Sequence, residues 1–114
     1  IINKIFNKVV GTEKKFIKEN YLSWAHIRKM LSDGHTIGSH SHYHVGDFED
    51  YKHSLKVIQK RLDINTNTIT YPNSNKIITD KDLKKLGIKN AYTTNFISKG
   101  SFRLGRIDCN QFFF

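Results

Sequence analysis

The sequence predicts an α/β fold in which helices alternate with short strands lying parallel in one layer. Two observations predict it. Apolar residues spaced three and four apart recur in several stretches, and short runs rich in β-branched and aromatic residues stand between them, joined by brief polar links. At 114 residues the chain is expected to be one domain, 1–114, large enough for a modest core but small for a complete barrel. Neither an internal repeat nor a low-complexity linker divides it.

The elements follow in order. From Ile1 to Val10 the apolar residues fall as pairs, Ile1-Ile2, Ile5-Phe6 and Val9-Val10, which argues for a helix stopped by Gly11. Thr12 to Asn20 is polar apart from Phe16 and Ile17 and is expected at the surface as a loop or short helix. Ser23 caps the next helix, in which Trp24, Ile27 and Leu31 are spaced by three and four and Gly34 is the C-terminal stop. Thr36 to Ser39 is short and β-compatible. Asp47 caps the clearest amphipathic stretch, with Phe48, Tyr51, Leu55, Ile58 and Leu62 forming a core stripe and His53 lying off it. Thr68 to Tyr71 reads as a strand ended by Pro72. Thr79 to Leu86 is a helix with Leu83 and Leu86 inward and Gly87 as its stop. Ala91 to Thr94 and Phe102 to Asp108 complete the pattern as strands.

Composition narrows the function classes. Lys and Arg number 19 against 10 Asp and Glu, a formal charge of +9. The basic residues are scattered along amphipathic stretches without a continuous stripe, which argues for solvated helix faces and against a nucleic-acid groove. Positive charge also favours attraction to an anionic cell-envelope polymer. Cys109 is the only cysteine, so no internal disulfide forms, and a packed thiol is its expected role. No apolar run is long enough to span a bilayer and no signal peptide is visible. The opening at Ile1 is read as a mature form or a fragment.

The chemistry concentrates in Gly34-His35-Thr36-Ile37-Gly38-Ser39-His40-Ser41-His42-Tyr43-His44. His40 and His44 are four apart. If the segment after Ser39 turns helical, both imidazoles leave one face and can grip one Zn²⁺-class ion. His42 would then point away, and Ser41 could cap the turn or bond a neighbouring loop. By residue type alone, a solvated loop or an adventitious metal binder remains open. Pro72-Asn73-Ser74-Asn75 forms a polar loop just beyond a strand, a usual position for substrate contacts in alternating folds.

This histidine stretch resembles the second motif of the polysaccharide deacetylases, the NodB-homology family (carbohydrate esterase family four), whose pattern is Gly-His-x-Ile-Gly-Ser-His-[Ser/Thr]-x-x-His. Thr70-Tyr71-Pro72-Asn73 looks like the third motif in its Tyr-Pro form, with Thr70 where many members keep an Arg. Leu86-Gly87-Ile88 through Ala91-Tyr92-Thr93-Thr94 and Leu104-Gly105-Arg106-Ile107 resemble later segments, in family order, from about residue 22 to 107.

The resemblance implies a partial or distorted (β/α) barrel and a divalent metal, zinc above all, held by His40, His44 and an aspartate. It also implies removal of N-acetyl groups from a cell-envelope polysaccharide, a C–N hydrolysis outside peptide bonds, in a periplasmic or secreted setting. In that family the metal activates water and polarises the acetamide, a carboxylate takes the water's proton and a histidine protonates the amine. Ser41 matches the position that braces the histidine loop, and Tyr71, Pro72 and Asn73 match the oxyanion and substrate loop. The Asp-Asp first motif and the Leu-x-His last motif have no counterpart among these residues, so no catalytic base or acid is assigned. Slow or absent turnover by this chain is therefore expected, and a catalytically dead carbohydrate-binding remnant is the alternative. Sheet edges left exposed by an incomplete barrel would favour association into a homo-oligomer.

Overall fold

The computed structural model describes residues 2–72, 78–94, 97 and 99–106, with the side chains of residues 2–4 outside the description. Its contacts divide the chain into two compact units, Ile1–Thr36 and Ile37–Phe114.

The first unit holds α1 (Ile2–Val9), α2 (Glu13–Asn20) and α3 (Trp24–Ser32). The polar stretch after Gly11 is a helix because Thr12 caps it, its hydroxyl accepting the Lys15 N–H at 3.3 Å. Phe16 sits edge-on to Phe6 and Tyr21, with ring centroids 5.6 and 6.3 Å apart. Ser23 opens α3 by a reciprocal capping box, in which its hydroxyl accepts from His26 N and His26 Nδ1 accepts from Ser23 N. His26 is thereby a cap. After α3 the chain closes with His35 N donating to the Met30 carbonyl, and His35 itself is exposed.

The second unit contains α4 (Phe48–Leu62), β1 (Thr68–Thr70), α5 (Asp80–Lys85) and β2 (Asn90–Tyr92). The strands run parallel, with Thr68 opposite Asn90, Ile69 opposite Ala91 and Thr70 opposite Tyr92. Single parallel bridges extend the layer on both sides, Ser39 to Ile69 and Leu104 to Tyr92. The described residues thus combine helices with one two-stranded parallel sheet. The strands expected at Thr36–Ser39 and from Phe102 onward are each a single bridge among the described residues, and Ile107, Asp108 and Cys109 lie outside them.

Ser39 N donates to the Thr68 carbonyl at 3.0 Å and Ser39 O accepts from Thr70 N at 2.8 Å. Gly38 permits that approach: a Cβ there would stand 3.1 Å from the Thr68 carbonyl oxygen.

The core gathers on this layer. Tyr51, Ile69, Tyr71, Ile78, Leu83, Ile88 and Ala91 are buried together, with Phe48, Leu55, Leu86 and Phe102 packed against them. Each large apolar side chain so placed contributes about 1.5–3 kcal/mol over exposure. The stripe expected on α4 is the one that turns inward, since Tyr51, Ile58 and Leu62 are buried while His53 is exposed. Both buried tyrosines satisfy their hydroxyls on carbonyls, Tyr51 on Thr70 and Tyr71 on Phe102, each at 2.9 Å. Burial pushes both phenols above the ordinary tyrosine value, with Tyr71 and Asp50 adding to the rise at Tyr51.

Candidate metal centre

The histidine loop leaves the layer at Ser39 and enters α4 at Asp47. It is not helical. Ser41 and His44 take left-handed backbone angles, φ 66° and 62°, and the segment between them is a series of bends. The helical turn expected after Ser39 is corrected accordingly, yet the two imidazoles still meet. Their ring centroids are 5.1 Å apart at an interplanar angle of 74°, and both residues are exposed.

The loop is shaped by a residue outside the histidine stretch. Asp50, in the first turn of α4, is 5 % exposed and accepts four backbone N–H groups. His42 N and Tyr43 N reach Oδ1 at 2.8 and 2.7 Å; Val45 N and Gly46 N reach Oδ2, both at 2.9 Å. Gly46 is buried with φ 77°, a conformation that costs a glycine little and aims its N–H at the carboxylate. Burial alone would raise the Asp50 pKa. The four amides, led by Gly46 and Tyr43, outweigh it and hold the carboxyl well below the usual carboxylate range. Asp47-Phe48-Glu49-Asp50 does carry a sequence signal for this, a cap followed three residues later by an acid. Asp47 Oδ1 accepts from Asp50 N at 2.9 Å as such a cap should, while the Asp50 carboxylate takes the loop amides instead of the cap N–H.

Ser39 anchors the loop's other end. Its hydroxyl is buried 2.7 Å from that of Ser54 on α4 and accepts from Ser41 N at 3.1 Å. Ser41, expected to brace the loop through its side chain, does so through its backbone; its buried hydroxyl has no hydrogen-bond partner among the described residues.

His40 is oriented by β1. Its Nδ1 lies 2.6 Å from Thr70 Oγ1 and 3.3 Å from the Thr70 carbonyl. A carbonyl can only accept, so the tautomer that serves both contacts carries its hydrogen on Nδ1 and leaves the Nε2 lone pair for a ligand. Thr70 thus orients the His40 ring.

The positions that the resemblance sets in a substrate loop separate. Tyr71 is wholly buried and its ring belongs to the core. Pro72 is half-buried directly after it, and Asn73 lies outside the described residues.

The ring spacing fits a shared ion. With metal–nitrogen bonds of about 2.1 Å at a roughly tetrahedral angle, two imidazole centroids stand about 5 Å apart, as His40 and His44 do. Imidazole donors suit Zn²⁺. Among the described residues no group of three or more His, Cys, Asp or Glu side chains is placed to hold a metal, so the pair would supply two of the ligands. Asp50 has no oxygen to offer, because the four amides occupy both. Comparison of the chain with protein-family models, with curated proteins and with solved structures returned no match.

Proposed function

We propose that this chain is the central and later part of a metal-dependent polysaccharide N-deacetylase domain of the NodB-homology kind, a distorted (β/α) barrel in its full form. The observation that carries the proposal is the pairing of His40 and His44 at 5.1 Å on a loop pinned by Asp50 at the edge of a parallel layer. The order of the family-like segments in the sequence supports it.

His40 and His44 would hold a divalent ion, zinc by its donor chemistry, which when bound supplies Lewis acidity for amide hydrolysis. The chain's own residues do the rest of the positioning: Thr70 fixes the His40 tautomer, and Asp50 and Ser39 hold the loop on which the two rings stand 5.1 Å apart. The reaction cleaves the acetamide C–N bond of an N-acetylated sugar, with water's oxygen passing to acetate and a proton to the amine. A cell-envelope polymer as substrate, a periplasmic or secreted setting and self-association through sheet edges belong to the same proposal.

Zinc uptake tests it. In competition with a chromophoric chelator, the chain is expected to take up one equivalent of Zn²⁺, and His40→Ala and His44→Ala each to abolish uptake. Uptake unaffected by either change would overturn the proposal. Glycan binding that survives both changes would favour the carbohydrate-binding remnant over the enzyme.

A further inference from the structure

The histidine loop has a second cluster of rings, apart from the His40–His44 pair. His42 packs against Tyr43 and His53 with centroids 4.5 and 4.4 Å apart at steep interplanar angles, and Tyr43 and His53 lie 5.7 Å apart at 32°. Two of these rings sit on the loop and the third on α4, so the cluster ties the two together. All three residues are exposed, Tyr43 by 67 %.

Beside the rings opens a cavity of about 430 Å³, whose lining includes Tyr43 and His53 together with Asp47, Glu49, Lys52 and Lys56. We infer that this cavity is a sugar-binding subsite in which Tyr43 and His53 face the C–H side of a pyranose ring and the carboxylates and lysines meet its hydroxyls. The inference rests on the deacetylase proposal for the identity of the polymer, and it adds where a neighbouring sugar unit is held.

Three features carry it. Aromatic rings with an apolar face and polar edge, ringed by a few donors and acceptors, are the chemistry that grips a neutral hydroxylated ring. The platform is preorganised, because the amides of both His42 and Tyr43 are fixed on buried Asp50, so little loop entropy is lost on binding. The local charge also speaks against the other ligand that stacks on aromatics, a single-stranded nucleic acid. Lys52 is engaged by Glu49 at 3.0 and 3.1 Å, and Asp47, Glu49 and Asp50 leave the cavity without a positive surplus despite the chain's +9.

Titration of the whole chain with tetra-N-acetylchitotetraose, followed by calorimetry, tests the subsite. Tyr43→Ala is expected to weaken binding about tenfold or more, whereas Tyr43→Phe, which keeps the ring, stays within about twofold. Circular dichroism and Zn²⁺ uptake should match wild type in both variants, since the Tyr43 amide that reaches Asp50 is retained. Equal affinity in Tyr43→Ala would overturn the subsite. So would a chain that takes up Zn²⁺ through His40 and His44 yet ignores the tetrasaccharide, or one that binds oligothymidylate more tightly than the sugar. Failure of Zn²⁺ uptake with sugar binding still dependent on Tyr43 would remove the deacetylase proposal and leave the subsite standing.

Discussion

Replacing Asp50 by Asn tests how the histidine loop is held. The carboxylate accepts two N–H groups on each oxygen, from His42 and Tyr43 on one and Val45 and Gly46 on the other. An amide keeps one oxygen for two of these and turns an NH₂ group toward the remaining two. Two hydrogen bonds are lost and the other two lose their charge assistance, while amides freed on the exposed part of the loop regain water. Asp50→Asn should therefore cost about 2–3 kcal/mol, and Asp50→Ala, which leaves all four donors unmatched, about 3–4 kcal/mol.

The acid dependence follows from the depressed pKa. A carboxyl held lower in the folded than in the unfolded chain stabilises fully above the ordinary Asp value of about 3.9 and loses that contribution as pH falls toward the folded value. Urea unfolding of wild type and Asp50→Asn, followed by far-ultraviolet circular dichroism, should show the largest gap near neutral pH and a narrowing gap on acidification below about pH 4. Hydrogen exchange should show lost protection at the four loop amides. A variant within about 0.5 kcal/mol of wild type at pH 7, or a gap insensitive to acid, would refute the reasoning.

Three further changes probe the same frame. Thr70→Val removes the oxygen 2.6 Å from His40 Nδ1 and should weaken Zn²⁺ affinity about tenfold or more with little loss of stability; unchanged affinity would show that the contact does not orient the ring. Gly38→Ala drives a Cβ to 3.1 Å from the Thr68 carbonyl and should lower the urea midpoint by an equivalent of about 1–2 kcal/mol, whereas an unaltered midpoint would mean that the two backbones are free to part. Thr79→Ala removes the cap whose hydroxyl accepts from Asp82 N at 3.2 Å and should cost about 1 kcal/mol by the same assay.

Helix starts were legible because caps are local chemistry. Ser23, Asp47 and Thr79 each stand one residue before a helix and accept from the third residue inside it. The α4 stripe was legible for a similar reason, as its spacing alone fixes which side chains share a face. The strands were longer in expectation than in fact, since pairing partners set their ends, and β1 and β2 are matched over three residues each.

The histidine loop was the least legible part. A helix after Ser39 would spend its amides on carbonyls one turn back, but Asp50, on the far side of the loop, collects four of them and permits left-handed angles at Ser41 and His44. Periodicity of apolar residues does not report a side-chain competitor of that kind, even one only four to eight residues along the chain. Tyr71, which the resemblance set with the substrate loop, is a core residue whose phenol donates to the Phe102 carbonyl, a long-range partner that no local pattern reports.

The central claim is that two imidazoles converge on one cation, and anomalous diffraction from crystals grown with Zn²⁺ measures this most directly. A peak at the zinc edge about 2.1 Å from a ring nitrogen of both His40 and His44, with His40 Nδ1 still turned to Thr70, is the expected result. Zinc bound to one ring alone, or lodged elsewhere on the chain while these two rings stay bare, would contradict it.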